Sequence, residues 1–264
     1  LDNPADAAVV EITLGGFALV AESDCCLALA GADLDARLDD QPLSAWRSFS
    51  MRRGQRLRFN QPLLGARAYL AAPGGFDAPS VLGSCATVVR EELGGLDGAG
   101  RALIKGDVLA FAGESAGRGE VPAALRPSFA GEALLDLVMG AQLGEFSGQS
   151  LFDAFNCPWE LDSRADRMGI RLLGTALQYQ GRPMISEGIP LGAVQVPPDG
   201  QPIVLLNDRQ TIGGYPRLGA LTPLALARLA QCLPGERVRF RAVVQELAWQ
   251  ELQDWRRRFA AFRG

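Results

Sequence analysis

Apolar residues in this chain recur at two spacings, and each spacing predicts a different element. Over most of the length they form short runs cut by Gly, Pro, Asp and Asn, which predicts strands joined by tight turns and a mainly β fold with a few helices. Helical spacing is the exception. Thr222-Pro223 followed by LALARLAQCL supplies an N-cap, a proline at the first helical position and an apolar stripe through Leu226, Leu229 and Leu233. A second helix is expected from about Val244 to Phe262, with Leu252, Trp255, Phe259 and Phe262 packed on a barrel and Arg256, Arg257 and Arg258 leaning toward solvent. SLFDAF predicts a shorter helix.

The pattern also repeats. GQRLRF (54–59), a loop, RAYLAA (67–72), GGF (74–76) and KGDVLAF (105–111) follow one another in the first half. GAVQV (192–196), PPDGQ, PIVLLN (202–207), GGY (213–215) and PGERVRF (234–240) follow in the second. A hairpin, paired glycines with an aromatic, then a Gly-acid opening of an alternating strand is one order used twice. It predicts two related β modules, residues 1–119 and 120–264.

Composition removes whole classes of chemistry. The chain has no histidine, so Ser-His and Cys-His nucleophile pairs, a His base and a His-ligated metal are excluded, and no metal site is expected. Lys105 is the only lysine and stands before a Gly-Asp turn, not in the Gly-Lys-Ser/Thr of a phosphate loop. GGLDGAG (94–100) lacks both a following lysine and a Rossmann context. No covalently bound cofactor is expected, and ATP or biotin, if used, would come on a partner. Five cysteines without Cys-x-x-Cys spacing read as reduced, partly buried thiols, with Cys85 a small core hydrophobe. A net charge of -4 and pI near 5.1 argue against a nucleic-acid partner. The absence of a long apolar run argues against a membrane partner, and a cytoplasmic location is expected.

Within the second half, PIVLLNDRQTIGGYP breaks from an apolar run into Asn207, Asp208, Arg209 and Gln210, then into Gly213, Gly214 and Tyr215. One reading is a turn, with Asn207 ending the strand and Asp208 and Arg209 forming a surface pair. The other is a site. Continued alternation would put Asp208 and Gln210 on one side and Arg209 and Thr211 on the other, while Gly213 and Gly214 would leave N–H groups for an oxyanion beside the Tyr215 ring. Glu187 in MISEGIPLG and Arg167 in SRADRMGIRL are further charges beside glycines in apolar surroundings. The residues alone leave both readings open.

EITLGG, GADLDARLDDQPLSAWRSF, RRGQRLRF, YLAAPGGFDAPSVLGS, DRMGIRL, PGERVRF and the whole run SEGIPLGAVQVPPDGQPIVLLNDRQTIGGYPRLG (186–219) together resemble the allophanate hydrolase subunit 2 family. That family holds the biotin-dependent carboxyltransferase domain of urea carboxylase, the C subunit of the ATP-dependent 5-oxoprolinase, and the KipA-type antagonist of a kinase inhibitor. The resemblance implies two cyclophilin-like β-barrel modules in tandem. It also implies a further N-terminal family segment, with Gln-Asp-x-Gly-Arg and Ser-Gly-Ala-x-Asp stretches, ahead of LDNPADAAVVEITLGG.

Among these branches the stand-alone length points to the C subunit of 5-oxoprolinase, opening the 5-oxoproline lactam to glutamate with the A and B subunits and inactive alone. The alternatives are a carboxyltransferase acting on urea or a related amide, and a non-enzymatic KipA-type regulator that binds a KipI-like partner. The substrates share an amide or ureido carbonyl on which negative charge builds. Under this resemblance Glu187 or Asp208 would move the proton, and Arg209 or Arg167 with the N–H groups of Gly213 and Gly214 would hold the oxyanion. Gln195 and Gln210 would bond the amide edge, with Tyr215 as a wall. Asn207 joins the substrate set, with the strand-ending turn as its other reading.

Overall fold

The computed structural model describes residues 1–113 and 119–263, leaving the side chain of Arg263 aside. The chain divides into two compact β-rich units, Leu1–Ser128 and Phe129–Gly264. The division falls past residue 119 because the strap beyond it belongs to the first unit. Ser48 Oγ accepts from the Gly119 N–H (2.7 Å), Val121 N–H bonds the Trp46 carbonyl (2.8 Å), and Arg47 bridges Glu120.

Unit 1 contains β1 (Val10–Thr13), β2 (Phe17–Val20), β3 (Cys25–Asp33), β4 (Ala36–Leu38), β5 (Gln41–Pro42), β6 (Arg47–Met51), β7 (Arg56–Phe59) and β8 (Leu64–Ala71). They form two four-stranded sheets, ordered β1-β8-β3-β6 and β2-β7-β4-β5. Period-two alternation fills the core: Leu57 and Phe59 point in while Arg56 and Arg58 point out, and Leu29, Leu34, Met51 and Leu70 complete the interior.

Two strand expectations fail in this unit. β7 and β8 are not a hairpin but lie in different sheets, because Asn60 and Leu63 donate to the Leu34 and Asp33 carbonyls and carry the chain across. KGDVLAF holds no strand; Leu109 and Phe111 cover the core from an extended loop, and Lys105 sits in its turn. All five cysteines are free, but Cys85 is only half-buried and stands outside the core.

Unit 2 runs β9 (Ala133–Met139), α1 (Gly148–Asn156), β10 (Trp159–Ala165), β11 (Gly169–Leu173), β12 (Glu187–Gly188), β13 (Ala193–Gln195), β14 (Ile203–Leu205), β15 (Ile212–Gly213), β16 (Arg217–Leu221), α2 (Pro223–Leu229), β17 (Arg237–Val243) and α3 (Gln245–Arg263). Seven strands close a barrel in the order β10-β11-β14-β13-β16-β9-β17. The closing pair β9/β17 is parallel and the other barrel pairs are antiparallel.

Ala133, Leu135 and Leu137 of β9 and Val238 and Phe240 of β17 face a core built around Trp159, whose indole N–H bonds the Ala154 carbonyl (3.1 Å). Outside, Arg241 grips Asp136 with two nitrogens at 2.6 and 2.7 Å across the closing seam. Thr222 caps α2 and Leu229 is buried as expected, but the helix stops at Leu229, so Leu233 lies beyond it. Helix α3 meets expectation only in part: it touches β9, and Ala248, Leu252, Trp255 and Phe259 are half-buried, but none of its described side chains is fully buried or joins the barrel core. No described helix is long and apolar enough to cross a membrane.

Candidate functional site

The β13/β14 hairpin forms as its sequence dictates. Its turn closes with a Gly200 N–H bond to the Pro197 carbonyl (2.9 Å). Gly200 is required twice over: φ is 75°, and a Cβ would fall 2.7 Å from the Leu177 backbone N and O. Asp199 at the tip pairs with Arg171, and the Gln201 N–H, with Arg171 behind it, holds the Asp199 carboxyl below its usual range.

Beyond β14 the predicted alternation ends. The strand stops at Leu205, and Asn207 and Asp208 occupy a turn closed by an Arg209 N–H bond to the Leu206 carbonyl (3.3 Å). Two opposite faces through 208–211 therefore do not exist. Instead Asp208 turns to Arg167, which donates from Nε at 2.9 Å and Nη2 at 3.3 Å, while the Asp208 N–H bonds the Arg167 carbonyl (2.9 Å). This clamp joins the ends of β11 and β14.

After the turn the chain builds a short two-stranded arm, β12 with β15, on the barrel wall. Ile189, buried with Ala193 and Leu205, roots it, and Arg209 Nε donates to the Ile189 carbonyl (3.2 Å). The Ile189 N–H bond to Thr211 O (2.9 Å) sets the ladder's alternation and makes Glu187/Gly213 a hydrogen-bonded pair. Gly213 therefore gives its N–H to the arm rather than to an oxyanion. It is glycine for close approach: a Cβ there would lie 2.6 Å from Ile189 Cδ1 and 3.2 Å from Gln195 Nε2. Gly214 follows outside the ladder beside the Met184 carbonyl. Gln210 and Tyr215 are exposed, as are Ile185 and Ile212, so Tyr215 belongs to an open rim rather than an enclosed wall.

The arm's carboxylate is Glu187. Its Oε1 accepts from Gln142 Nε2 (3.0 Å) and from Arg217 Nη2, while Arg217 Nη1 donates to the Gly188 carbonyl (3.1 Å). Arg217 is paired in register with Gln195 on β13. Gln195 is 2% exposed, and its Nε2 is buried without a hydrogen-bond partner.

Structure thus brings Glu187, Gln195 and Gly213 into one neighbourhood, groups Asp208 with Arg167, and leaves Arg209 as a tie between the turn and the arm. Sequence reasoning missed Arg217 and Gln142. Arg217 stood inside the specific run 186–219, whereas Gln142 lies 45 residues from Glu187 and gives no local signal. No cluster of His, Cys, Asp and Glu able to hold a metal occurs among the described residues.

Residues 1–242, ending before α3, match the family model for the carboxyltransferase domain, subdomains A and B. The C subunit of the 5-oxoprolinase of Escherichia coli is 40% identical across 97% of this chain and 82% of its own length. The same-named protein of Haemophilus influenzae is 36% identical across 94% and 79%. The crystal structure of the K. lactis urea amidolyase superposes with a TM-score of 0.89 over 97% of this chain and 17% of that one, at 22% identity, which is a likeness of fold.

Proposed function

Because the chain belongs to the carboxyltransferase-domain family of subdomains A and B, we propose that it is the C subunit of an ATP-dependent 5-oxoprolinase, acting with the A and B subunits. The observation that carries this reading is the 40% identity to a 5-oxoprolinase C subunit across both β units. On this reading ATP is bound by a partner subunit, in keeping with a chain whose only lysine, Lys105, stands outside any phosphate-loop motif.

The Glu187 cluster suits an amide edge. A lactam offers an N–H and a carbonyl oxygen side by side, which match a carboxylate acceptor and the donors of Arg217 and Gln195. Glu187 accepts a hydrogen bond from the ring N–H, takes a proton from water as its hydroxyl adds to the carbonyl carbon, and delivers that proton to the departing nitrogen as the C–N bond breaks. Arg217, with the Gln195 amide behind it, stabilises charge growing on the carbonyl oxygen. Arg167, Asp208 and Arg209 fasten the base of the arm.

Glu187 is the better-placed of the two carboxylates, being 41% exposed while Asp208 is 12% exposed and held bidentate. A second reading, carboxyl transfer to urea or a related amide with biotin on a partner, draws on the urea amidolyase fold likeness, because urea presents the same edge.

The test is reconstitution with the A and B subunits, ATP and 5-oxoproline, following glutamate. Product should need this chain and fall roughly 10²-fold or more with Arg217→Ala. Full-rate glutamate formation without the chain overturns the reading. ATP- and biotin-dependent consumption of urea in place of 5-oxoproline selects the second.

A further inference from the structure

Helix α3 lies beyond the matched family domain and joins no core cluster: Leu247, Trp249 and Phe262 are 57%, 60% and 43% exposed, and Ala248, Leu252, Trp255 and Phe259 are half-buried. They are nonetheless ordered. Ala248, Leu252, Trp255, Phe259 and Phe262 recur at alternating intervals of four and three residues, the heptad seam of a coiled coil. Trp255 and Phe259 already stack, with ring centroids 4.5 Å apart. Charge is divided along the axis: Glu246, Glu251 and Asp254 precede Trp255, while Arg256, Arg257 and Arg258 follow it.

We propose that α3 is a self-association element through which two copies of the chain pair as an antiparallel two-stranded coiled coil. The helix is its own complement in that direction, because the acidic half of one copy lies along the basic half of the other. Leu252 then layers on Trp255 of the second copy and Ala248 on Phe259 of the second copy, small against large. On one flank Glu251 meets Arg258 of the second copy. On the other, Trp249 lies under Arg256 of the second copy, a cation over an indole face. A parallel pair would set like-charged halves side by side. Most helical stability comes from packing of the amphipathic face, so covering the seam also secures the helix. The inference goes beyond the oxoprolinase reading and does not depend on it, since α3 contributes nothing to the Glu187 cluster.

Sedimentation equilibrium of the whole chain, without partners, tests it. The expected result is a reversible monomer–dimer equilibrium in the micromolar range. Trp255→Asp and Phe259→Asp should give monomer while the barrel's melting temperature is retained. Glu251→Arg and Arg258→Glu should each weaken the dimer about tenfold or more, and the double exchange Glu251→Arg/Arg258→Glu should restore it. Monomer at every concentration, or a dimer indifferent to Trp255→Asp, overturns the proposal. Singles that weaken the dimer without recovery in the double exchange overturn the antiparallel arrangement.

Discussion

Glu187 and Asp208 are both carboxylates beside the same arm, yet their partners give them different work. Asp208 is gripped by two guanidinium nitrogens and its own backbone, so Asp208→Asn is expected to cost about 1–3 kcal/mol of stability, read as a lower urea midpoint. Glu187→Gln is expected to leave the midpoint nearly unchanged and to lower kcat of the reconstituted enzyme roughly 10²- to 10⁴-fold. The reverse pattern would exchange their roles. Gly213→Ala would press a methyl group onto Ile189 and Gln195 and should cost about 1–3 kcal/mol in the same assay. The residue types here were legible in the sequence, because charges among glycines in an apolar run need a reason. Their partnerships were not. A clamp between residues 167 and 208, or a bond between Gln142 and Glu187, exists only once the barrel has brought distant strands together.

Elements whose ends are set locally were readable from sequence. The Thr222 hydroxyl accepts the Ala225 N–H (3.3 Å) and Pro223 fills the first turn, so the start of α2 was written in adjacent residues. Thr222→Ala should lower stability by about 1 kcal/mol with an unchanged denaturant m-value, and a changed m-value would mean that more than the cap was lost. The β13/β14 hairpin was legible for the same reason. Where partners decide, the pattern misled. RAYLAA after GQRLRF has hairpin spacing, but crosses to the other sheet. KGDVLAF alternates correctly, but its turn is sustained by Asp107, which accepts from Arg101 at 2.7 and 2.9 Å and from the Ile104 N–H at 2.8 Å, with no strand beside it. In α3 the period revealed a helix with one apolar face, and said nothing of what covers that face.

At the scale of the molecule, carboxylates across both units carry lowered pKa values. Asp39 is held down by the Arg56 N–H, Asp97 by the Ala99 N–H, Asp107 by Arg101, Glu120 by Arg126 and Asp162 by Arg164. Each ionises more readily folded than unfolded, so the stability it contributes is present above its ordinary value, 3.8 for the aspartates and 4.5 for Glu120, and is lost as pH falls below it. The melting temperature should be level above about pH 5 and drop steeply below pH 4, and a flat profile to pH 2 would refute this. With no histidine, no step is expected between pH 6 and 7 from imidazole. The barrel's closing seam has a consequence of timing. Asp136 and Arg241, which lock β9 to β17, are 105 residues apart, and β17 is the last barrel strand to be made. While the chain emerges from the ribosome, unit 1 already has all its strands, but β9 keeps a bare edge until residue 243 is out. Unit 2 is therefore the part expected to need shelter during synthesis, and a chain truncated before β17 is expected to aggregate through that open sheet edge.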